Sequence, residues 1–237
     1  MKSLAADFSN PYYPYEKTKL GFNSFRGTEK IPHMIINYLL DLPDVNGYEP
    51  IDDNRRPRVR LAKWLWYDGV NPLGNALPTP EQKLSMLFDG EHPVLNTDEE
   101  KAAHPKGYRV FSVPFVAQSN DEANAILKCS IGRTIPISPF AERIGISFEI
   151  VVSYNVANVS KTDDYDRAYA IEQCIKEALH GVNITGVGEI GYDTRAYSPS
   201  GSIAYRDRDD SYHSYRVLNM FVNWQESDMG KVETYEE

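Results

Sequence analysis

The sequence contains one motif that binds phosphate in other structural contexts. "GVGEIG" (186–191) matches the pattern G-x-G-x-x-G, in which glycines let the backbone approach a pyrophosphate at a helix N-terminus. That site needs a strand before the glycines and a helix after them. Here a predicted helix precedes the motif, and the following "YDTRAYSPSG" does not continue as a helix. We therefore interpret these glycines as strand and turn residues.

The remaining reactive side chains predict no catalytic centre. The five histidines include no H-x-x-x-H pair and no H-E-x-x-H motif, which argues against a zinc hydrolase. Cys129 and Cys174 have no metal-ligand spacing and are expected to be reduced thiols, with Cys174 in the core. "DRDD" (207–210) lacks the Gly and distal Glu of a calcium loop. We expect no catalytic residue, no metal and no cofactor, although an unrecognised site built from distant residues stays an alternative.

Composition predicts a soluble globular protein made in the cytoplasm. The 237 residues are 41% hydrophobic, and no apolar run has the length of a membrane helix. The net charge of −9 argues against general binding to nucleic acid or anionic membranes. The 16 tyrosines, against 9 phenylalanines, favour a binding role, since tyrosine is enriched at protein interfaces.

The two ends of the chain predict extended segments. Residues 1–24 contain "NPYYPYEK", whose prolines favour an extended path. We interpret them as an arm, either frayed or laid on a neighbouring subunit. Residues 227–237 read as an acidic flexible tail.

Two helices are predicted from apolar spacing. "TEKIPHMIINYLLDLPD" (28–44) has Thr28 as a candidate cap and Pro32 in the first turn. "TDDYDRAYAIEQCIKEALHG" (162–181) has Asp163 or Asp164 as a candidate cap and Gly181 as its stop. Its apolar stripe comprises Ala168, Ile171, Cys174, Ile175, Ala178 and Leu179.

Between the first helix and the strands lies a segment of mixed character, about 50–106. "RRPRVRLAKWLWYDG" (55–69) is basic and aromatic and could form a strand or a short helix. Nucleic-acid binding is one interpretation. A surface strand edge paired with Asp52 and Asp53 is the better supported one. The proline-rich residues 70–106 predict a partner-facing insertion.

Period-two patterns predict strands in the second half of the chain. They cover 108–118, 143–156 and 215–224, with a short strand in 182–197; residues 125–137 could be a strand or a short helix. The polar run 198–214 is expected to be a long loop. The sequence therefore predicts one α+β domain over 25–226, a mainly antiparallel β-sheet packed with two principal helices.

The order of these elements resembles the tail terminator (tail completion) and head–tail joining proteins of tailed bacteriophages, most closely the larger versions from contractile tails. "IPHMIINYLL" precedes the series, and "ISFEIVVSYN" leads through an Asp-rich turn into the second helix. A short strand, a polar loop and the closing "YRVLNMFVNW" follow. The resemblance covers about 28–45 and 108–226, and implies that the last strand pairs beside the strand preceding the helix.

The resemblance implies a structural virion protein with no enzymatic activity. It would form a homohexameric ring that terminates the tail tube and contacts tube, sheath and connector. DNA would pass through its lumen without specific binding, and no membrane is involved. Alternatives are another neck or tail component, or a small cytosolic enzyme or ligand-binding protein. Candidate subunit-interface residues are Tyr12, Tyr13, Tyr15, Tyr205, Tyr212, Tyr215 and Phe221.

Overall fold

The chain forms an α+β domain in which helices pack against one face of a mostly antiparallel sheet. This confirms the predicted fold class. The computed structural model describes residues 28–40, 42, 51–69, 71–88, 90, 94–113, 124–138, 141–153, 156, 166–192, 201–206 and 213–225. The predicted arm at 1–24 and acidic tail at 227–237 lie outside these residues.

Five α-helices occur in the described ranges. They are α1 (Ile31–Leu39), α2 (Pro57–Trp66), α3 (Pro80–Ser85), α4 (Asp98–Ala103) and α5 (Arg167–Leu179), with 3₁₀ turns at Thr28–Lys30 and Pro72–Gly74. Helices α1 and α5 confirm the two predicted helices, and α2 is a third.

Helix α2 decides between the alternatives left open for the basic segment. The segment is helical, and the preferred surface strand edge was wrong, because seven of its ten residues are buried. The expected acidic partners are nevertheless present. Lys63 pairs with Asp52 at 2.6 Å, and Arg55 pairs with Asp53 at 2.9 Å.

The helix ends differ from prediction by a few residues. Pro32 lies in the first turn of α1, as expected, but Lys30 is the N-cap residue because Thr28 belongs to the preceding 3₁₀ turn. At α5 the cap is Asp166, whose Oδ1 accepts the N–H of Ala168 at 3.0 Å. Gly181 follows α5 with φ of +73°, which confirms the predicted glycine stop.

Seven strands of the described chain form one sheet. They are β1 (Val110–Phe111), β2 (Ala125–Ser138), β3 (Ala141–Ser153), β4 (Val182–Ile184), β5 (Gly188–Gly191), β6 (Gly201–Arg206) and β7 (His213–Gln225). Their order is β1-β2-β3-β7-β5-β4, and β6 also pairs with β7. Only the β1–β2 pair is parallel.

Three strand predictions need adjustment. Residues 125–137 form a strand. Of the strand predicted over 108–118, residues 114–118 lie outside the described residues, and within 108–113 only Val110–Phe111 form a strand. The one strand predicted in 182–197 is a hairpin, β4–β5, whose turn contains Gly186 at φ of +78°. That hairpin confirms the interpretation of the glycine motif as strand and turn residues.

The polar run before β7 is not a continuous loop. Residues 201–206 form β6, which pairs in an antiparallel manner with Ser214–Asn219. Strand β5 pairs with Phe221–Asn223 farther along the same strand. The loop prediction was wrong here because β7 has a second edge whose N–H and C=O groups need partners.

The core lies between the helices and the centre of the sheet. Strands β3 and β7 pair over their whole length, from Ala141↔Gln225 to Ser153↔His213, which confirms the predicted closing strand. Their core-facing residues are Ile144, Ile146, Phe148, Ile150 and Val152 with Leu218, Met220, Val222 and Trp224. The predicted α5 stripe, including Cys174, is buried against them.

Candidate subunit-contact surface

The side of the sheet that points away from α5 is the candidate contact surface, called here the outer face. Alternation along β7 places Tyr215, Val217, Asn219, Phe221 and Asn223 on it. From β3 it receives Arg143, Gly145, Ser147, Glu149 and Val151. All are half-buried except Gly145, which is buried. Large side chains therefore stay accessible on both strands.

Phe221 is fixed by its neighbours within the subunit. It lies between two glycines across the sheet, Gly145 on β3 and Gly191 on β5. A Cβ atom added at Gly191 would lie 2.4 Å from Cζ of Phe221, so only glycine leaves room for the phenyl ring. The Arg143 guanidinium lies 4.7 Å from the ring centroid, and its Nε donates to Asn223 Oδ1 at 3.1 Å. Phe221 is thus a half-buried aromatic side chain whose position is fixed by contacts with β3 and β5.

Two of the predicted interface tyrosines occupy paired backbone positions at the other end of β7. Tyr205 on β6 pairs in register with Tyr215, which in turn pairs with Val151 on β3. Tyr215 and Phe221 are six positions apart on β7, which corresponds to about 20 Å along the strand. The outer face therefore has an aromatic group near each end of β7.

The centre of the outer face is polar. Lys128 on β2 pairs with Glu149 at 3.4 Å, and Ser130, Ser147 and Asn219 stand in one cross-strand row. Beside Val151, a satellite cluster of Tyr108, Phe111 and Ile126 packs with Phe88, Leu95 and Val113. This mixture of polar and aromatic groups is typical of protein-contact surfaces.

The far end of the β2–β3 hairpin is also exposed. A bulge follows Ile131, after which Gly132, Arg133 and Thr134 are exposed. Ile137 has 58% of its surface accessible. Among the described residues, β2 beyond Lys128 pairs only with β3. Within these described residues no strand pairs with its second edge, and unpaired edges are where further strands add to a sheet.

The sequence comparison with known families gives one match. The YomW family matches residues 59–218, which is more than half of the chain. The chain belongs to the YomW family. No curated protein and no solved structure matches it.

The YomW span runs from the start of α2 into β7. It includes the described part of 70–106, which contacts the domain at Met86 and Leu87: Met86 is fully buried, and Leu87 bridges to Val110, whereas α4 has no buried residue. It also includes Tyr205 and Tyr215, whereas Phe221 and α1 lie beyond its ends. The span therefore contains most of α2, all of α3 to α5 and most of the outer face, but not α1.

The predicted interface residues are only partly brought together in this YomW protein. Tyr215 and Phe221 share the outer face, and Tyr205 lies on the adjoining strand. Tyr12, Tyr13, Tyr15 and Tyr212 lie outside the described residues.

Sequence reasoning missed the buried charged residues. Glu172 on α5 is fully buried and accepts from Arg216 on β7 and Lys176 on α5. Arg167 is also fully buried. A signal did exist for Glu172, which stands four residues after Ala168 and three before Ile175, at the edge of the apolar stripe.

The two cysteine thiols are buried in the core. Burial raises the pKa of the Cys174 thiol to about 12 and raises that of Cys129 as well, so both thiols stay protonated. The described part of the chain contains no group of three or more His, Cys, Asp or Glu side chains that could hold a metal. None of the described helices is long and apolar enough to cross a membrane.

Proposed function

We propose that this YomW-family protein is a structural virion protein of a tailed bacteriophage. It forms a homohexameric ring that terminates the tail tube and joins it to the neck. The supporting observation is the pairing of β7 with β3 along thirteen residues, with α5 and the β4–β5 hairpin between them in sequence. This is the connectivity that the resemblance to tail terminators implies.

The exposed surfaces fit repeated protein contacts. The outer face presents Tyr215 and Phe221 on rigid strands, so little side-chain freedom is lost when a neighbour binds. The free edge of β2 offers backbone groups to an adjacent subunit, or to tube, sheath or connector proteins. In the proposed ring, these contacts would repeat between neighbouring copies and would extend to the other virion proteins.

The charge distribution fits a passage for DNA that binds it weakly. The chain carries a net charge of −9, so a lumen formed by several copies would repel phosphate. The basic residues of the α2 region are engaged within the domain, as in the pairs of Lys63 with Asp52 and Arg60 with Glu177. With the pair of Arg55 and Asp53, carboxylates offset three of the five positive charges in residues 55–66.

Disruption of the gene in the phage genome that encodes this chain tests the proposal. Electron microscopy of the lysate should show DNA-filled heads separated from tails, and complementation by the intact gene should restore joined particles. Normal, infectious virions without the protein would contradict the proposal. A cytosolic enzyme would give that second result.

A further inference from the structure

Three cations surround one carboxylate between helix α2, the segment before β1, and the start of α5. We call Asp68, Lys106, Arg109 and Arg167 the Arg167 cluster. Lys106 and Arg109 both pair with Asp68, at 3.3 and 2.8 Å, and the charges of Asp68 and Arg109 both act on Arg167. These four side chains together carry a net charge of +2 in a protein of net charge −9.

Arg109 is fully engaged in structural contacts. Its Nη1 and Nη2 donate to the two carboxylate oxygens of Asp68, each at 2.8 Å. Nη1 also donates to the carbonyl oxygen of Leu65 at 2.7 Å, and Nε donates to that of Lys106 at 3.3 Å. Asp68 therefore makes its hydrogen bonds to Arg109 and Lys106, and it acts on Arg167 only through its charge.

Arg167 is bonded very differently. Its side chain is fully buried, and its Nη2 donates to the carbonyl oxygen of Gly69 at 3.0 Å. Within the part of the chain that the structure describes, no acceptor hydrogen-bonds to its buried Nε and Nη1. The guanidinium carbon lies 5.4 Å from the centroid of the Trp64 ring, which supplies a cation–π contact but no acceptor.

Arg167 is a buried cation that no carboxylate of the described residues hydrogen-bonds. Burial lowers the pKa of Arg167 to about 10. The charge of Asp68 opposes this shift, and the charge of Arg109 adds to it. Arg167 therefore stays charged at neutral pH. Buried cations in proteins are normally paired, because an unpaired one loses its hydration without compensation. Arg167 is also the first residue of α5, where the helix dipole adds positive potential.

We propose that the Arg167 cluster is a carboxylate-binding site, in which Arg167 Nε–H and Nη1–H are the primary donors. The side chains of Lys106 and Asp68 are each about a third exposed, and they are the solvent-accessible part of the proposed site. The carboxylate comes either from a free small anion or from an acidic segment of a protein chain. The proposal does not depend on the protein's forming a ring.

Calorimetric titration of the full-length protein at constant ionic strength tests this site. The probes are sodium glutarate and the peptide KVETYEE, which is the chain's own acidic ending, with sodium chloride as the reference. Saturable binding of glutarate alone identifies a free carboxylate as the ligand. Binding of the peptide, with or without glutarate, identifies a protein segment. Binding of neither probe overturns the proposal.

Variants assign the binding to the cluster. Arg167→Met should weaken binding by roughly tenfold or more, since it removes charge-assisted hydrogen bonds. Arg55→Met removes one cation from a side chain that is 91% exposed and should leave binding unchanged. Where Arg167→Met does not fold, Arg167→Lys keeps the charge, loses donors and should weaken binding several-fold. Unchanged binding in the folded Arg167 variant would overturn the proposal.

Discussion

The phenyl ring of Phe221 on β7 lies directly over Gly191 on β5, at a distance that leaves no room for a side chain at position 191. Arg143 on β3 contacts the same ring. An aromatic side chain on the outer face is thus held by its two neighbouring strands before any partner binds. A group fixed in this way loses little conformational entropy on association.

Replacing Gly191 by Ala should destabilise the domain. The added Cβ would fall 2.4 Å from Cζ of Phe221, so the ring or the strand must shift. We expect a loss of about 1 to 3 kcal/mol in the free energy of unfolding, measured by urea denaturation. Gly69→Ala is the matched control, because an added Cβ there meets nothing within 4 Å. Equal losses in both variants would disprove the steric contact.

Replacing Phe221 by Glu should weaken assembly more than folding. The side chain is half-buried in the subunit, so we expect a loss of roughly 1 to 3 kcal/mol in stability while the fold persists. A charge on the outer face should, however, prevent oligomer formation, as judged by size-exclusion chromatography with light scattering. Ile51→Glu adds the same charge at a position that is 62% exposed and precedes α2, and should leave assembly intact. Equal loss of folding and assembly in Phe221→Glu would count against the outer face as an interface.

Replacing Glu172 by Gln should cost much more than breaking an exposed pair. Glu172 is fully buried between Lys176 and Arg216, so the substitution leaves two cations without their shared carboxylate. We expect a loss of about 3 kcal/mol in guanidinium denaturation. Asp53→Asn, which breaks the exposed pair with Arg55, should stay within about 0.5 kcal/mol.

A double substitution separates the ion pair from its surroundings. Glu172→Met with Arg216→Met removes both charges, and Lys176, with 20% of its side chain exposed, can turn toward water. The double variant should therefore be more stable than either single variant. Additive losses would show that the two residues do not interact.

Asp52 should contribute to the free energy of unfolding at neutral pH, and this contribution should be lost in acid. The hydrogen bond from Lys63 holds the pKa of Asp52 below its ordinary 3.8 in the folded state. Because the folded pKa is the lower one, the pair stabilises the fold above about pH 4 and loses this effect as pH falls through the folded pKa. Asp52→Asn should cost about 1 kcal/mol at pH 7, since the carboxylate is 44% exposed, and the difference from wild type should shrink below pH 4.

Urea denaturation at several pH values measures this contribution. Glu99→Gln, at an exposed position of α4, is the control and should track the wild type at every pH. A difference between Asp52→Asn and wild type that stays constant down to pH 3 would rule out the ion pair as its source.

The elements that follow one clean periodicity were predictable from the sequence. Strand β7 alternates between apolar core residues and mixed outer residues, and α5 has its apolar residues at helical spacing. Their pairing order also followed from the resemblance. For α2, "PRVRLAKWLW" mixes charges with apolar residues because Lys63 is buried and pairs with the partly exposed Asp52, so the pattern favoured neither helix nor strand.

The outer face and the buried ion pairs depend on contacts between distant residues. Arg109 meets Asp68 across 41 positions and Arg216 meets Glu172 across 44, so no local pattern reveals them. Strand β6 was missed for the same reason, because its polar sequence becomes a strand only when β7 provides the pairing edge. Of the interface prediction, the structure places Tyr215 and Phe221 on the same face of β7 and Tyr205 on the adjoining strand, since these alone lie in described strands.

Native mass spectrometry of the purified 237-residue protein, alone and with isolated tail tubes, tests whether it forms a hexameric ring. A ring of six copies predicts a closed species at six times the chain mass of 26.9 kDa. The same species should be retained on tube ends and be lost in Phe221→Glu. A protein that stays at the mass of one chain, both free and in the presence of tail tubes, would contradict the assignment as a tail terminator.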